Sequence, residues 1–132
     1  MSTRSHIGII NKDGSIEVVY CHHDGYLEFT GKRLLDNHNS VPSVRELLKI
    51  GNMTFVGAAM REYGSAMTYK NMTEYLKSIK DDKFNDIEYF YLYSVNKKVL
   101  GKKGWWFAQY DDYTVWNRVE SELLNVKMTV LV

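Results

Sequence analysis

The dipeptide Asp13-Gly14 constrains this chain more than any other feature, because it lies between two runs that alternate like β-strands. These runs, Ser5 to Ile10 and Ile16 to His22, are rich in β-branched residues. Asp-Gly between two such runs is a strong signal for a hairpin closed by a two-residue turn. The sequence therefore predicts that the chain opens with a β-hairpin.

The predicted turn also sets which residues of the hairpin face each other. A two-residue loop places His6 opposite Cys21 and Ser5 opposite His22. Because side chains alternate between the faces of a strand, Ser5 and His22 would share one face. His6, Cys21 and His23 would share the other.

The rest of the chain mixes helical and strand-like patterns. The predicted helices run from Glu28 to Asn37, from the capping box Ser43–Glu46 to a stop at Gly51, from a cap at Asn71 through Ile79, and from Thr114 to Val126. The predicted strands are Ile87 to Ser94, Trp105 to Tyr110 and a short one at Met128 to Val132, while residues 52–69 give no clear pattern. The predicted fold class is α+β: one domain over residues 1–132, with an antiparallel sheet built from two β-hairpins and helices packed on one face.

Charge balance argues against two simple functions, although local charged patches remain possible. Seventeen basic and sixteen acidic residues leave a net charge of +1. Direct, nonspecific nucleic-acid binding through the phosphate backbone needs a basic surplus, and a nucleic-acid mimic needs an acidic one. The overall balance supports neither class.

Cysteine content and hydropathy indicate the compartment. Cys21 is the only cysteine, so there is no intrachain disulfide to suggest export. Residues 1–6 lack the apolar core of a signal peptide, and apolar stretches such as Phe55 to Met60 are too short to span a bilayer. We expect a cytoplasmic protein with no membrane partner.

Aromatic residues make up 14% of the chain. Large rings fill cores, and Tyr and Trp are also enriched at binding surfaces. The alternation puts Trp105 and Trp106 on opposite faces, so one is expected inside and the other at least partly exposed. If the surplus stays exposed on the strands Ile87 to Ser94 or Trp105 to Tyr110, a homodimer would cover it.

Chemically capable side chains concentrate at one end of the predicted hairpin. They are Arg4, Ser5, His6, Cys21, His22, His23, Asp24 and Tyr26. A zinc site at His6, Cys21 and His23 lacks ligand spacing and a fourth ligand, so we predict no metal and no cofactor. A Ser5–His22–Asp24 nucleophile arrangement lacks preorganised oxyanion donors, so we assign no catalytic residue.

Two interpretations of this cluster remain. A small metal-independent hydrolase or nuclease would use His22 as a general acid–base oriented by Asp24, with Arg4 holding a phosphate. A binding site would use Arg4 as a planar fork for an anion, His22 and Asp24 as donor and acceptor, and Tyr26 for stacking. The predicted ligand-binding residues are Arg4, Ser5, His22, Asp24, Gly25 and Tyr26.

Several segments resemble a family of small proteins encoded by phages and prophages. They are Met1-Ser2-Thr3-Arg4-Ser5, Ile7-Gly8-Ile9, Tyr20-Cys21-His22, Asp24-Gly25-Tyr26, Gly31, Ile50 to Met53 and the aromatic strand Tyr89 to Tyr93. The resemblance implies a phage accessory protein in the host cytoplasm and brings no established chemistry. Such proteins often counter host defence, so the expected function is binding rather than catalysis. The expected partner is a host defence protein such as a CRISPR effector, or an anionic nucleotide-like molecule.

Overall fold

A mixed sheet organises the chain in a computed structural model, which describes residues 3–60, 66–81 and 86–124. The eight strands within these ranges are β1 (Ser5–Ile10), β2 (Ile16–Cys21), β3 (Met53–Phe55), β4 (Ala58–Ala59), β5 (Met67–Tyr69), β6 (Tyr89–Ser94), β7 (Gly104–Gln109) and β8 (Asn117–Arg118). Their order is β4-β3-β2-β1-β6-β7-β8, and β5 also pairs with β2. The α+β class and the hairpins β1–β2 and β6–β7 are confirmed.

The sheet is not purely antiparallel, so that part of the prediction is wrong. The two hairpins join through β1 and β6, which run parallel from the pair Ser5 and Tyr89 to the pair Ile10 and Ser94. The pair β2 and β3 is parallel as well. Local turn signals predict antiparallel neighbours, whereas a parallel pair comes from distant parts of a chain and leaves no local signal.

Helices lie between the strands. A π-helical turn (Leu27–Gly31) leads into α1 (Lys32–Asn37), followed by α2 (Val41–Lys49), α3 (Met72–Lys80), a 3₁₀ turn (Tyr110–Asp112) and α4, which is described over residues 119–124. The predicted cap at Asn71 is confirmed, because its Oδ1 accepts a 2.9 Å bond from the Glu74 N–H. The cap of α2 is Ser40 and not Ser43, because Pro42 fits the first helical turn and moves the start upstream.

The helices cover both faces of the sheet, which corrects the one-face prediction. On the first face α1, α2 and α4 pack through Leu34, Leu47 and Val119. On the second face α3 packs through Tyr75 and Ile79. Strand β6 contributes alternate residues to both layers and is therefore buried on both sides.

The first hairpin has a register one residue away from the predicted one. The Gly14 N–H donates to the carbonyl of Asn11 at 2.9 Å, and Gly14 has a φ of 89°. The turn is therefore the three-residue kind that ends in a left-handed glycine. As a result Ser5 pairs with Cys21 and His6 with Tyr20. A shift of one residue moves every side chain of one strand to the other face.

Other predicted elements have mixed outcomes. The described part of residues 52–69 contains the three short strands β3, β4 and β5. The helix predicted from Thr114 starts only at residue 119, because Asn117 and Arg118 pair with β7 first. The strand predicted at 128–132 lies outside the described residues.

The aromatic residues of β6 and β7 are mostly core. Trp105 is buried and Trp106 is half-buried, so Trp105 is the tryptophan that fills the core and Trp106 is the partly exposed one. Tyr91 and Tyr93 are also buried. Strand β6 has hydrogen-bonded neighbours on both sides, and β8 covers part of β7. Tyr89 and Trp106 are partly exposed on these two strands, and the homodimer stays a prediction.

Candidate functional site

The hairpin register divides the predicted site between the two faces of the sheet. Ser5 and Cys21 lie on the first face, beneath the turn formed by residues 24–26. Tyr20 lies on the second face, and Arg4 and His22 contact it there. The six predicted ligand-binding residues thus form two groups.

The first group is structural in its contacts. A Cβ at Gly25 would lie 2.8 Å from the Cβ and Oγ of Ser5, so this close approach requires glycine. The Gly25 N–H donates to the Thr3 carbonyl at 2.8 Å, and its own carbonyl accepts from the Tyr91 hydroxyl at 2.7 Å. Asp24 has a φ of 56°, a left-handed conformation that Asp tolerates in turns. These bonds fix the turn on the core.

Tyr26 follows this turn and is 38% exposed, with its ring 6.1 Å from that of Phe29. The carbonyl of Asp24 accepts a 2.6 Å bond from the Thr30 hydroxyl. Tyr26 therefore lies at the surface of the first face, on the side of the sheet away from Tyr20.

The second group forms a compact polar cluster, which we call the Arg4 cluster: Arg4, Tyr20, His22 and Asp86. The Tyr20 hydroxyl shares a hydrogen bond with Nδ1 of His22. The guanidinium of Arg4 also reaches the Tyr20 side chain and lies 3.9 Å from Oδ2 of Asp86. The Arg4 side chain is 37% exposed, so solvent and solutes can reach it.

The protonation states of this cluster follow from its surroundings. Burial raises the pKa of Tyr20, and the bond from Arg4 opposes that shift. Burial, then the charges of His23 and Arg4, lowers the pKa of His22, while Asp86 opposes the shift. At neutral pH Tyr20 therefore keeps its proton and His22 is neutral. The Tyr20 O–H donates to Nδ1, which places the imidazole proton on Nε2 as a second donor beside Arg4.

The backbone holds this cluster in place. The His22 N–H donates to the Met53 carbonyl at 2.9 Å, and the His23 N–H donates to Thr54 at 2.7 Å. The Tyr20 N–H donates to Oδ1 of Asn52 at 3.0 Å. Tyr20 thus lies in β2, and Arg4 and His22 lie directly beside the ends of β1 and β2, a supported arrangement that favours specific binding.

The His6–Cys21–His23 metal arrangement is contradicted by the register. His6 points to the second face, where its ring meets Phe90 edge-on at 5.4 Å, whereas Cys21 belongs to the core of the first face. Among the described residues, no group of three or more His, Cys, Asp or Glu side chains is placed to hold a metal ion.

Sequence reasoning missed Tyr20 and Asp86. Tyr20 was placed on the same face as His22 but was not counted among the chemically capable residues, and Asp86 is distant in sequence. A signal for the correct turn was present in Ser15, which follows Asp13-Gly14 and whose N–H and hydroxyl both bond the Asp13 carboxylate, at 2.9 Å and 2.6 Å. Nothing local points to Asp86, because the parallel pairing of β1 and β6 brings it to Arg4.

Comparison with protein-family models gave no match, and comparisons with curated proteins and with solved structures gave none either. None of the helices in the described parts of the chain is long and apolar enough to cross a membrane.

Proposed function

We propose that this chain is a non-enzymatic binding protein that takes an anionic, nucleotide-like group at the Arg4 cluster. The observation that carries the proposal is the pair of donors, the Arg4 guanidinium and the Nε2–H of His22, held beside Tyr20 at the adjacent ends of β1 and β2. Arginine offers a planar fork that matches phosphate or carboxylate, and charge-assisted bonds are the strong ones.

Asp86 is the only carboxylate described within ion-pair distance of Arg4, and it holds the guanidinium loosely. The two groups are 3.9 Å apart and the Asp86 side chain is 59% exposed. An exposed pair at this distance contributes only about 0–1 kcal/mol. An incoming phosphate can therefore displace Asp86 at low cost, which favours a ligand site over a structural ion pair.

The geometry favours binding over turnover. The hydrolase interpretation requires Asp24 to orient His22 as a general base. In the structure the Nδ1 of His22 instead bonds the Tyr20 hydroxyl. A neutral histidine held by a tyrosine is a donor to a ligand and lacks the carboxylate partner of an acid–base pair.

The resemblance to phage and prophage proteins supplies the biological context of the proposal. A protein of this kind would counter host defence by sequestering a nucleotide signal or by occupying a defence protein such as a CRISPR effector, in the host cytoplasm. Plaque assays with the gene expressed in hosts that carry different defence systems test this context. Protection of the phage should require Arg4. If the gene protects the phage in none of the defence systems, the counter-defence context is wrong.

Isothermal titration with AMP, ADP and a cyclic dinucleotide tests the binding site. Arg4→Ala and His22→Ala should each weaken binding at least about tenfold, which is the loss of one charge-assisted bond. The matched control is Arg33→Ala, since the Arg33 guanidinium lies over the Phe29 ring at 4.4 Å on α1. Equal loss in the control, or hydrolysis of a probe that His22→Ala abolishes, would overturn the proposal.

A further inference from the structure

The opposite end of the sheet carries a concentration of positive charge that the net charge conceals. The loop between β6 and β7, residues 95–103, holds four lysines and no acidic residue: Lys97, Lys98, Lys102 and Lys103. All four side chains are exposed. The parallel pairing of β1 and β6 places this loop beside the β1–β2 turn and away from Arg4.

Neighbouring elements add to this charge. A cleft of about 660 Å³ between the loop and the β1–β2 turn is lined by Lys12, Arg45 and Lys103, with Asp13 and Glu17 also on its wall. We call the four loop lysines together with Lys12 and Arg45 the basic end. It sets six cationic side chains against two carboxylates, whereas the whole chain has a net charge of only +1.

These cations are available to a ligand. Among the ion pairs of the described residues, none uses a lysine of the 95–103 loop, Lys12 or Arg45. The Asp13 carboxylate, by contrast, is already bonded to the N–H and hydroxyl of Ser15. The electrostatic potential at the basic end is therefore positive, and its cationic side chains are exposed to solvent.

The loop is also held in a defined shape. The Asn96 Nδ2 donates to the Lys12 carbonyl at 2.9 Å, and its Oδ1 accepts from the Lys98 N–H at 2.9 Å. The Arg118 guanidinium donates to the Lys103 carbonyl at 2.6 Å, and Arg45 donates to Oδ1 of Asn11 at 2.9 Å. The Asn96–Lys12 bond docks the two loops on each other, and the other three bonds hold each loop in its own shape.

We propose that the basic end binds the phosphate backbone of nucleic acid without reading its sequence. Lysines act as point charges along a phosphate chain, whereas lysine is depleted from protein–protein interfaces, where arginine and aromatic residues are enriched. The ring of Trp106, which contacts this loop, is occupied: its Nε1–H donates to the Lys102 carbonyl at 2.9 Å and Arg118 lies over the ring. Bases therefore have little to stack on.

Fluorescence anisotropy with a labelled 20-base-pair duplex DNA, and in a second arm a single-stranded RNA, tests the proposal. Binding to either nucleic acid supports it and shows which form is preferred. Contact with four to six phosphates predicts a slope of about −4 to −5 for log K against log salt on the duplex. The variant K97Q/K98Q/K102Q/K103Q should lose at least about thirtyfold in affinity at 50 mM salt, and the matching four-arginine variant should retain binding.

The matched control K32Q/K70Q/K77Q/K80Q removes the same total charge from exposed positions elsewhere and should lose less than about threefold. An equal loss of affinity in the two glutamine variants would show that binding depends only on the net charge of the chain, which would overturn the proposal. So would the absence of salt-dependent binding to both nucleic acids. Preference for poly-L-glutamate over nucleic acid would assign the surface to an acidic protein instead. Nucleotide binding at the Arg4 cluster is measured in the same lysine variants. If it is unchanged, the result at the basic end bears on this proposal alone and leaves the proposed function untouched.

Discussion

The imidazole Nδ1 of His6 lies 3.0 Å from the hydroxyl oxygen of Tyr75, and both side chains are buried. The contact joins β1, the central strand of the sheet, to α3 on the second face. A polar pair in a core limits how the two elements can shift, because each partner would lose its bond.

The first prediction is that stability falls with acid through His6. Burial lowers the pKa of His6 from 6.5 to about 3, so the folded state keeps the ring neutral. Below pH 6.5 the unfolded chain takes up a proton that the folded chain does not. The stabilisation is therefore complete above that pH and is lost toward pH 3, by about 1.4 kcal/mol per pH unit.

Urea unfolding between pH 7 and 5 measures this slope. His6→Gln should flatten it by close to one proton. An unchanged slope in His6→Gln would show that His6 is not the group responsible.

The second prediction separates Ser5 from the binding site. Its hydroxyl is buried, has no strong hydrogen-bond partner among the described residues and faces only the weakly bonding thiol of Cys21. Ser5→Ala should change the free energy of unfolding by less than about 1 kcal/mol and leave ligand affinity at the Arg4 cluster intact. Denaturant titration and calorimetry measure the two quantities. If Ser5→Ala abolishes binding and leaves stability unchanged, Ser5 is a ligand-binding residue after all.

The third prediction concerns the reactivity of Cys21. Burial, the largest cause, raises the pKa of its thiol to about 11, and the side chain is fully buried. At pH 8 the thiolate fraction is about one in a thousand, so attack on a disulfide reagent should be slow. We expect the folded protein to react at least about a hundredfold more slowly than the chain in denaturant. Comparable rates would mean that the β2 end opens readily.

The fourth prediction tests the docking of the two loops at the basic end. Asn96→Ala removes its side-chain bonds to Lys12 and Lys98, which should cost about 1–2 kcal/mol of stability and loosen the lysine loop. Hydrogen exchange at the Lys98 N–H should quicken. The control Asn39→Ala changes an exposed asparagine in the loop before α2. Stability equal to the control would show that the loops are held by other contacts.

A structural feature could be predicted from the sequence where neighbouring residues along the chain determine it. Asn71 as a helix cap and Gly51 after α2, with a φ of 79°, follow from nearby residues and are confirmed. The α+β class follows from periodicity in the same way. The pairing of β1 with β6 depends on contacts far apart in sequence, which a single sequence does not encode locally.

The candidate site shows the same division. The sequence predicted that chemically capable residues gather at one end of the first hairpin. In the structure Arg4 and His22 lie together there. The extra loop residue moved Ser5 to the face opposite His22, whereas Tyr20 and His22, two residues apart, share a face in either register. A turn that differs by one residue thus decides which side chains share a site.

The pairing of β1 with β6 also has a consequence for how fast the chain folds. Each hairpin closes through a short connection, and such local structures form in microseconds. Joining them brings together Ser5 and Tyr89, roughly eighty residues apart, against the entropy of closing that loop. The rate-limiting barrier should therefore lie at this joint. Substitutions at Gly8 and Leu92, which pair across it, should slow refolding, whereas substitutions in the short strands β4 and β8 should mainly speed unfolding.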